Sequence, residues 1–168
     1  LDQVSISVAY PKLNVKINGS YGGAPTGKAG ATHQAFEDLA IMRAVPNMTV
    51  LAPADAVETR KAVFAALAHP GPVYLRTVRC EVPTIFDDGH DFRIGKAYRL
   101  REGADLAIFA TEITTAKALA AADALAAEGI EARVVHVPTL KPLDEDEVIA
   151  ASRDIGRIIT VEDHSIIG

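Results

Sequence analysis

The sequence is poor in aromatic side chains and in cysteine: its 168 residues contain no tryptophan, four tyrosines, five phenylalanines and a single cysteine, Cys80. One cysteine excludes an internal disulfide, so a cytoplasmic setting is the expectation. Basic residues are outnumbered, since 17 Lys and Arg stand against 22 Asp and Glu for a formal net charge of -5. That balance argues against a nucleic-acid partner, which needs a basic face. No apolar run approaches the ~20 residues that cross a bilayer, so no membrane partner is expected either.

What the chain has instead is aliphatic content. Hydrophobic residues make up 49% of it, enough for a buried core of alanine, valine, leucine and isoleucine. The chain opens without Met inside an apolar pattern, and VEDHSIIG stops straight after a strand-like run, which together read as a fragment.

Hydrophobic periodicity divides the sequence into alternating strands and helices. LNVKI (13–17) reads as a strand, 34–45 as a helix with Thr32 as its N-cap, and TVLA (49–52) as a buried strand. Residues 55–69 read as a helix opened by an Asp55-x-x-Glu58 capping pattern, and VYLRTV (73–78) as the next strand. Between Cys80 and Phe92 the pattern dissolves into what reads as a linker. Alternation then restarts with an edge-like strand at GKAYRL, a buried strand at 105–110 and a helix ending at Gly129. A strand at 132–137, a helix capped by Asp144 and Glu147, and a strand at 157–162 complete it. The expectation is α/β, with two tandem parallel-sheet units over 1–79 and 93–168.

The densest chemistry lies in GGAPTGKAGATHQ (22–34), with four glycines, Lys28 and His33. Gly22-x-x-x-x-Gly27-Lys28 follows the phosphate-loop pattern up to its last position, where Ala29 replaces the magnesium-holding Ser or Thr. A nucleotide-binding role is therefore the weaker reading. Arg76 alternates to the far face of its strand from Arg79 and reads as structural. Cys80 has no neighbouring base and is not proposed as a nucleophile. Asp87-Asp88 reads as a solvated turn, and His69, His90 and His136 have no motif context.

The stretch GATHQAFEDLAIMRAVPNMTVLAPADAVETRKAV, with NVKINGSYGG before it and PVYLRTVR after it, resembles the pyrimidine-binding domain of the transketolase family. FRIGKAYRLREGADLAIFATEITTAKAL through VPTLKPLDEDEV to TVEDHSIIG is similar to that family's C-terminal domain. The likeness is greatest to the separate C-terminal subunit of two-subunit transketolases. Deoxyxylulose-phosphate synthases share the G-x-TH-Q pattern and are the nearest confusable relatives.

The resemblance implies an enzyme that uses thiamine diphosphate and Mg2+ to move a two-carbon ketol unit from a ketose to an aldose. It places the catalytic histidine on His33, and a phosphate-binding arginine on Arg79. Tyr21 stands where the family has a histidine, and Lys28-Ala29 where it has Glu-Asp, so these loop positions imply a donor other than the usual phosphoketose, one that is branched, shortened or carries another acid group. Tyr21, Lys28 and Arg79 are the substrate-binding candidates. The family's activating glutamate would lie upstream of Leu1 and its metal and diphosphate site in another domain. No cofactor-binding or metal residue is therefore assigned to this chain. The resemblance further implies a cofactor-holding N-terminal subunit or domain as partner, a homo- or hetero-oligomer, and no activity from this chain alone. The alternative of a different class is a non-catalytic binding or assembly module of the same fold.

Overall fold

The computed structural model describes residues 1–167. A wide helical turn over Gln3–Ala9 packs Val4 and Ala9 onto the first core and precedes β1 (Lys16–Gly19). Two short 3-10 turns, Ala24–Ala29 and Ala31–His33, carry the chain to α1 (Asp38–Ala44). Next come β2 (Thr49–Leu51), α2 (Ala56–Ala68) and β3 (Val73–Arg76). After an irregular stretch follow β4 (Tyr98–Arg101), β5 (Leu106–Ala110), α3 (Thr114–Ala127), β6 (Ala132–His136), β7 (Thr139–Lys141), α4 (Glu145–Asp154) and β8 (Ile158–Val161).

Two four-stranded sheets organise these elements, in the orders β1-β3-β2-β7 and β4-β6-β5-β8. Three strands of each are parallel, and one antiparallel strand is added at an edge, β7 against β2 and β4 against β6. The protein is thus two α/β units. β7 follows β6 in the chain yet pairs with the first sheet, so the second unit lends the first an edge strand.

The central strands are buried throughout: every residue of β2, β3 and β6 is shielded from solvent. Parallel strands covered on both faces need that continuous apolar content. α2 starts where Asp55 accepts a hydrogen bond from Glu58 N at 2.8 Å, an N-cap that supplies one of the first-turn donors with a partner. Its Glu58 carboxylate, however, reaches Ala54 N at 2.7 Å rather than closing the box on Asp55 N. α3 is held by alanine-rich sequence. It ends where Gly129, at φ +82°, turns the chain so that Ile130 N reaches Leu125 O at 3.0 Å.

Three local expectations need correction. Thr32 does not cap α1, which begins at Asp38 with Glu37 at its N-cap position and no side-chain cap. The intervening residues follow a 3-10 turn because Gly30, at φ +73°, redirects the chain before a helix can propagate. Asp144 makes no cap bond to α4; its carboxylate accepts from Ala97 N at 3.0 Å, and Glu147 is taken by Arg99 at 2.6 Å. The 80–92 segment, without helix or strand, is pinned: Asp55 Oδ2 accepts from Ile85 N at 2.6 Å and Phe86 N at 2.9 Å, while Phe86 and Phe92 are buried.

Candidate functional site

A cleft lined mainly by residues with polar groups opens at the carboxyl end of β1, on the side where ligands commonly enter parallel α/β sheets. Its volume is about 320 Å³, and Ser20, Tyr21, Thr32, His33, Gln34 and Ala35 line it. Ser20 and Tyr21 leave the end of β1, and the other four form the return of the glycine-rich loop. The two ends of that loop are stitched together, with Gly23 N donating to Ala35 O at 2.7 Å and Gly22 N to Thr77 O at 3.1 Å beyond β3.

Tyr21 adopts φ +66°, a left-handed conformation unusual for a bulky side chain. Its ring carries the Arg79 guanidinium at 4.8 Å from the centroid, a cation-π stack that orients an otherwise solvent-exposed arginine. His33 is exposed in the second 3-10 turn, with Thr32 Oγ1 at 2.9 Å from its Nδ1. That contact leaves Nε2 as the ring nitrogen open to a ligand. His33 does not sit at an α-helix N-terminus, since α1 begins only at Asp38, so a helix dipole does not act on its imidazole.

Of the four residues singled out from the sequence, Tyr21 and His33 line the cleft, and Arg79 is tied to Tyr21 by the stack on its ring without lining the cleft itself. Lys28 is exposed on the 24–29 turn and does not line the cleft. The phosphate-loop alternative loses its geometric basis here, because no helix starts behind Lys28 to present its amides to a phosphate.

Beneath the loop lies a buried ion network for which the sequence carries little signal. Arg76 is wholly buried at the end of β3; its Nη1 donates to Glu112 Oε2 at 2.9 Å, and its Nη2 to Ala35 O at 2.9 Å and Asp163 O at 3.0 Å. Asp38 Oδ2 lies 3.3 Å from Arg76 Nε and accepts the Tyr74 hydroxyl at 2.6 Å. Arg76 is structural, as its strand position implies. Burial pushes the Glu112 carboxyl up to about 7, with Arg76 opposing and the nearby Asp38, Asp163 and Glu162 adding to the rise. Burial and the bond to Asp38 push the Tyr74 phenol up as well. What signal there is lies in Glu112 itself, an acid set directly behind the buried LAIFA strand.

A second buried cluster joins the units. Glu58 of α2 accepts from His136 Nε2 at 2.7 Å and lies 3.1 Å from His90 Nε2, while Thr115 Oγ1 is 2.8 Å from His136 Nδ1. Phe86 stacks on His90 at 3.9 Å. Asp87 and Asp88 do form a turn: Asp87 accepts from Gly89 N at 2.8 Å, and Asp88 pairs with Arg60. Burial, then Asp163, pushes the Cys80 thiol up, away from nucleophile chemistry at neutral pH. Among the described residues no group of three His, Cys, Asp or Glu is arranged to hold a metal ion, and no helix is long and apolar enough to cross a membrane.

An α/β pair with a cleft of hydroxyl, imidazole and amide groups at a strand end, and a guanidinium stacked on the tyrosine of its wall, is a module for handling small polar ligands. Comparison with known proteins narrows this. Residues 1–84 match the transketolase pyrimidine binding domain, and residues 95–168 match the transketolase C-terminal domain. The chain belongs to the transketolase family.

Over 167 residues it is 46% identical to the 6-deoxy-6-sulfo-D-fructose transketolase subunit SqwH of Clostridium sp. (strain MSTE9), covering 99% of this chain and 52% of that protein. It is 42% identical over 169 residues to an apulose-4-phosphate transketolase subunit of Phocaeicola vulgatus, covering 100% of this chain and 54% of that protein. Among solved structures, a split-gene transketolase described as an inactive beta4 tetramer superposes with a TM-score of 0.92 at 47% identity, covering 99% of this chain and 54% of that one. The transketolase of Campylobacter jejuni gives a TM-score of 0.84 at 27% identity, covering 99% of this chain and 27% of that one. The chain thus spans about half the length of the curated relatives it matches.

Proposed function

We propose that this chain forms the substrate-facing part of a split transketolase, which transfers a two-carbon ketol unit between sugar phosphates or related ketoses and is inactive without a cofactor-holding partner subunit. The observation that carries the reading is that Tyr21 and His33 line one cleft, with the Arg79 guanidinium stacked on the ring of that tyrosine. The cleft residues fit a polyol and an anion. They do not fit a magnesium diphosphate, so Mg2+ and the diphosphate end of thiamine diphosphate fall to the partner. Bound there, the cofactor supplies the electron sink for breaking the carbon-carbon bond.

In this reading His33 is the catalytic residue of the chain. Its Nε2 exchanges a hydrogen bond or a proton with a hydroxyl on the reacting carbons. Arg79 receives the anion at the far end of the donor, and the Tyr21 ring fixes the guanidinium against rotation. Lys28, outside the cleft, adds positive potential without contact. The relatives are named for 6-deoxy-6-sulfo-D-fructose and apulose-4-phosphate, which favours a donor with a strong anion remote from the reacting carbons. The inactive tetramer of the split-gene relative supports inactivity of this subunit when alone.

The test is reconstitution. The full-length protein is mixed with its cofactor-holding subunit, thiamine diphosphate and Mg2+, and assayed with a panel of sulfonated and phosphorylated ketose donors and an aldose acceptor. Turnover with the pair and none with either subunit alone supports the assignment; turnover with this subunit alone overturns it.

A further inference from the structure

We propose that Asp163 of the second unit is a positioning residue that clamps the glycine-rich loop of the first, so that the cleft is shaped by both units. The inference rests on the reading of the Tyr21–His33 cleft as the substrate site. Asp163 follows β8, 139 positions beyond the loop, and its two carboxylate oxygens lie 3.2 and 3.1 Å from Ala24 N at the start of the 24–29 turn. Its backbone oxygen receives Arg76 Nη2, the same guanidinium nitrogen that holds Ala35 O where the loop returns. One residue therefore ties down the departing strand of the loop directly and the returning strand through Arg76. Ser165 N extends the tie to Phe36 O at 2.9 Å.

The pair of glycines that opens the loop is explained by this clamp rather than by a phosphate. A Cβ on Gly22 would lie 2.2 Å from Arg76 Nε, and one on Gly23 would lie 1.9 Å from Asp163 Oδ2. Gly23 also has φ +67°. Only glycine lets the backbone lie this close to the two charged groups. By contrast, Gly27 and Gly30 at the tip have nothing within 4 Å of such a Cβ. The close packing is confined to the end that touches the second unit.

The experiment is amide hydrogen exchange on the full-length protein assembled with its cofactor-holding subunit, in wild type, Asp163→Ala and Asp163→Asn, alongside donor kinetics. Loss of a charge-assisted hydrogen bond should accelerate exchange at the departing end of the loop, residues 22–29, by about tenfold in Asp163→Ala, and less at the returning end, where the Asp163 backbone oxygen still holds Arg76. Asp163→Asn, which keeps one acceptor oxygen, should fall between that and wild type. Peptides from β5 and β6 should be unchanged, and donor KM should rise while kcat stays close to wild type. Unchanged loop exchange in both variants, or equal acceleration in β5 and β6, overturns the clamp. If the wild-type assembly shows no ketol transfer, the substrate-site reading fails, and the exchange data still decide whether Asp163 holds the loop.

Discussion

Arg76 and Glu112 meet across the boundary between the two units, Nη1 to Oε2 at 2.9 Å, with both side chains buried. A buried pair of this kind contributes less to stability than to fixing one arrangement, because removing two charges from water offsets most of their attraction. Here the arrangement fixed is the floor of the cleft.

Burial of the Glu112 carboxyl, which Arg76 only partly offsets, makes stability pH-dependent. Glu112 is held at about 7 against an ordinary 4.5, so the folded protein binds this proton more tightly than the unfolded chain. Its stabilising contribution is complete below pH 4.5 and is lost as pH rises from there through about 7. Glu112→Gln, neutral at every pH, should flatten that segment of the profile by on the order of 2–3 kcal/mol. Urea melts of both proteins between about pH 5 and pH 8 give the comparison, and parallel profiles would rule this assignment out.

Glu58 should be the most costly acid to remove. Truncation to Ala strands His136, His90 and Ala54 N in the interior, and loss of one member of a buried charged cluster costs about 3–5 kcal/mol. Arg60→Ala, which deletes an exposed pair with Asp88, should leave the midpoint nearly unchanged. Chemical denaturation of the two variants separates the cases; similar midpoints would contradict the account.

The two ends of the glycine-rich loop should respond differently to alanine. Gly23→Ala meets Asp163 Oδ2 and must displace the loop, whereas Gly27→Ala at φ +55° meets only open space and carries a backbone penalty of about 1 kcal/mol. Donor KM should rise sharply in the first and little in the second, and equal rises would show that the clamped end has no special part in shaping the cleft.

Much of this architecture is legible in the sequence. Strand and helix periods from LNVKI to RIITVE locate the elements to within a few residues, because long, strongly patterned segments bury one face or both. β7 is the exception, since its three residues carry no period and its partner β2 lies about ninety positions away. Tyr21 and His33, which line the cleft, and Arg79, which stacks on Tyr21, follow from motif positions. Glu112 and Asp163 do not, because their partners are distant in sequence, 36 positions in one case and 139 in the other, and such a contact leaves no local pattern. His90 and His136 are silent for the same reason: their partner Glu58 reads as part of a helix cap, a role its backbone N–H does fill.

Donor choice should follow the anion. Arg79→Ala should raise KM for sulfonated and phosphorylated ketoses together, while Tyr21→Ala, which removes only the ring under the guanidinium, should do so more weakly. Ala29→Asp supplies the acid that the family resemblance places at this position and should shift the ranking of donors by their hydroxyl pattern. If wild type already favours the usual xylulose 5-phosphate and Ala29→Asp leaves the ranking unaltered, the loop does not set substrate choice.

The central claim is that this chain brings the reacting-carbon contact of a split transketolase through His33. Single-turnover ketol transfer by the reconstituted two-subunit enzyme, comparing wild type with His33→Ala at saturating donor, tests it most directly. General acid-base partners contribute about 10²–10⁴-fold, so the account predicts a fall of that order in the chemical step, with assembly and the melting profile unchanged. A His33→Ala enzyme that turns over at the wild-type rate would contradict it.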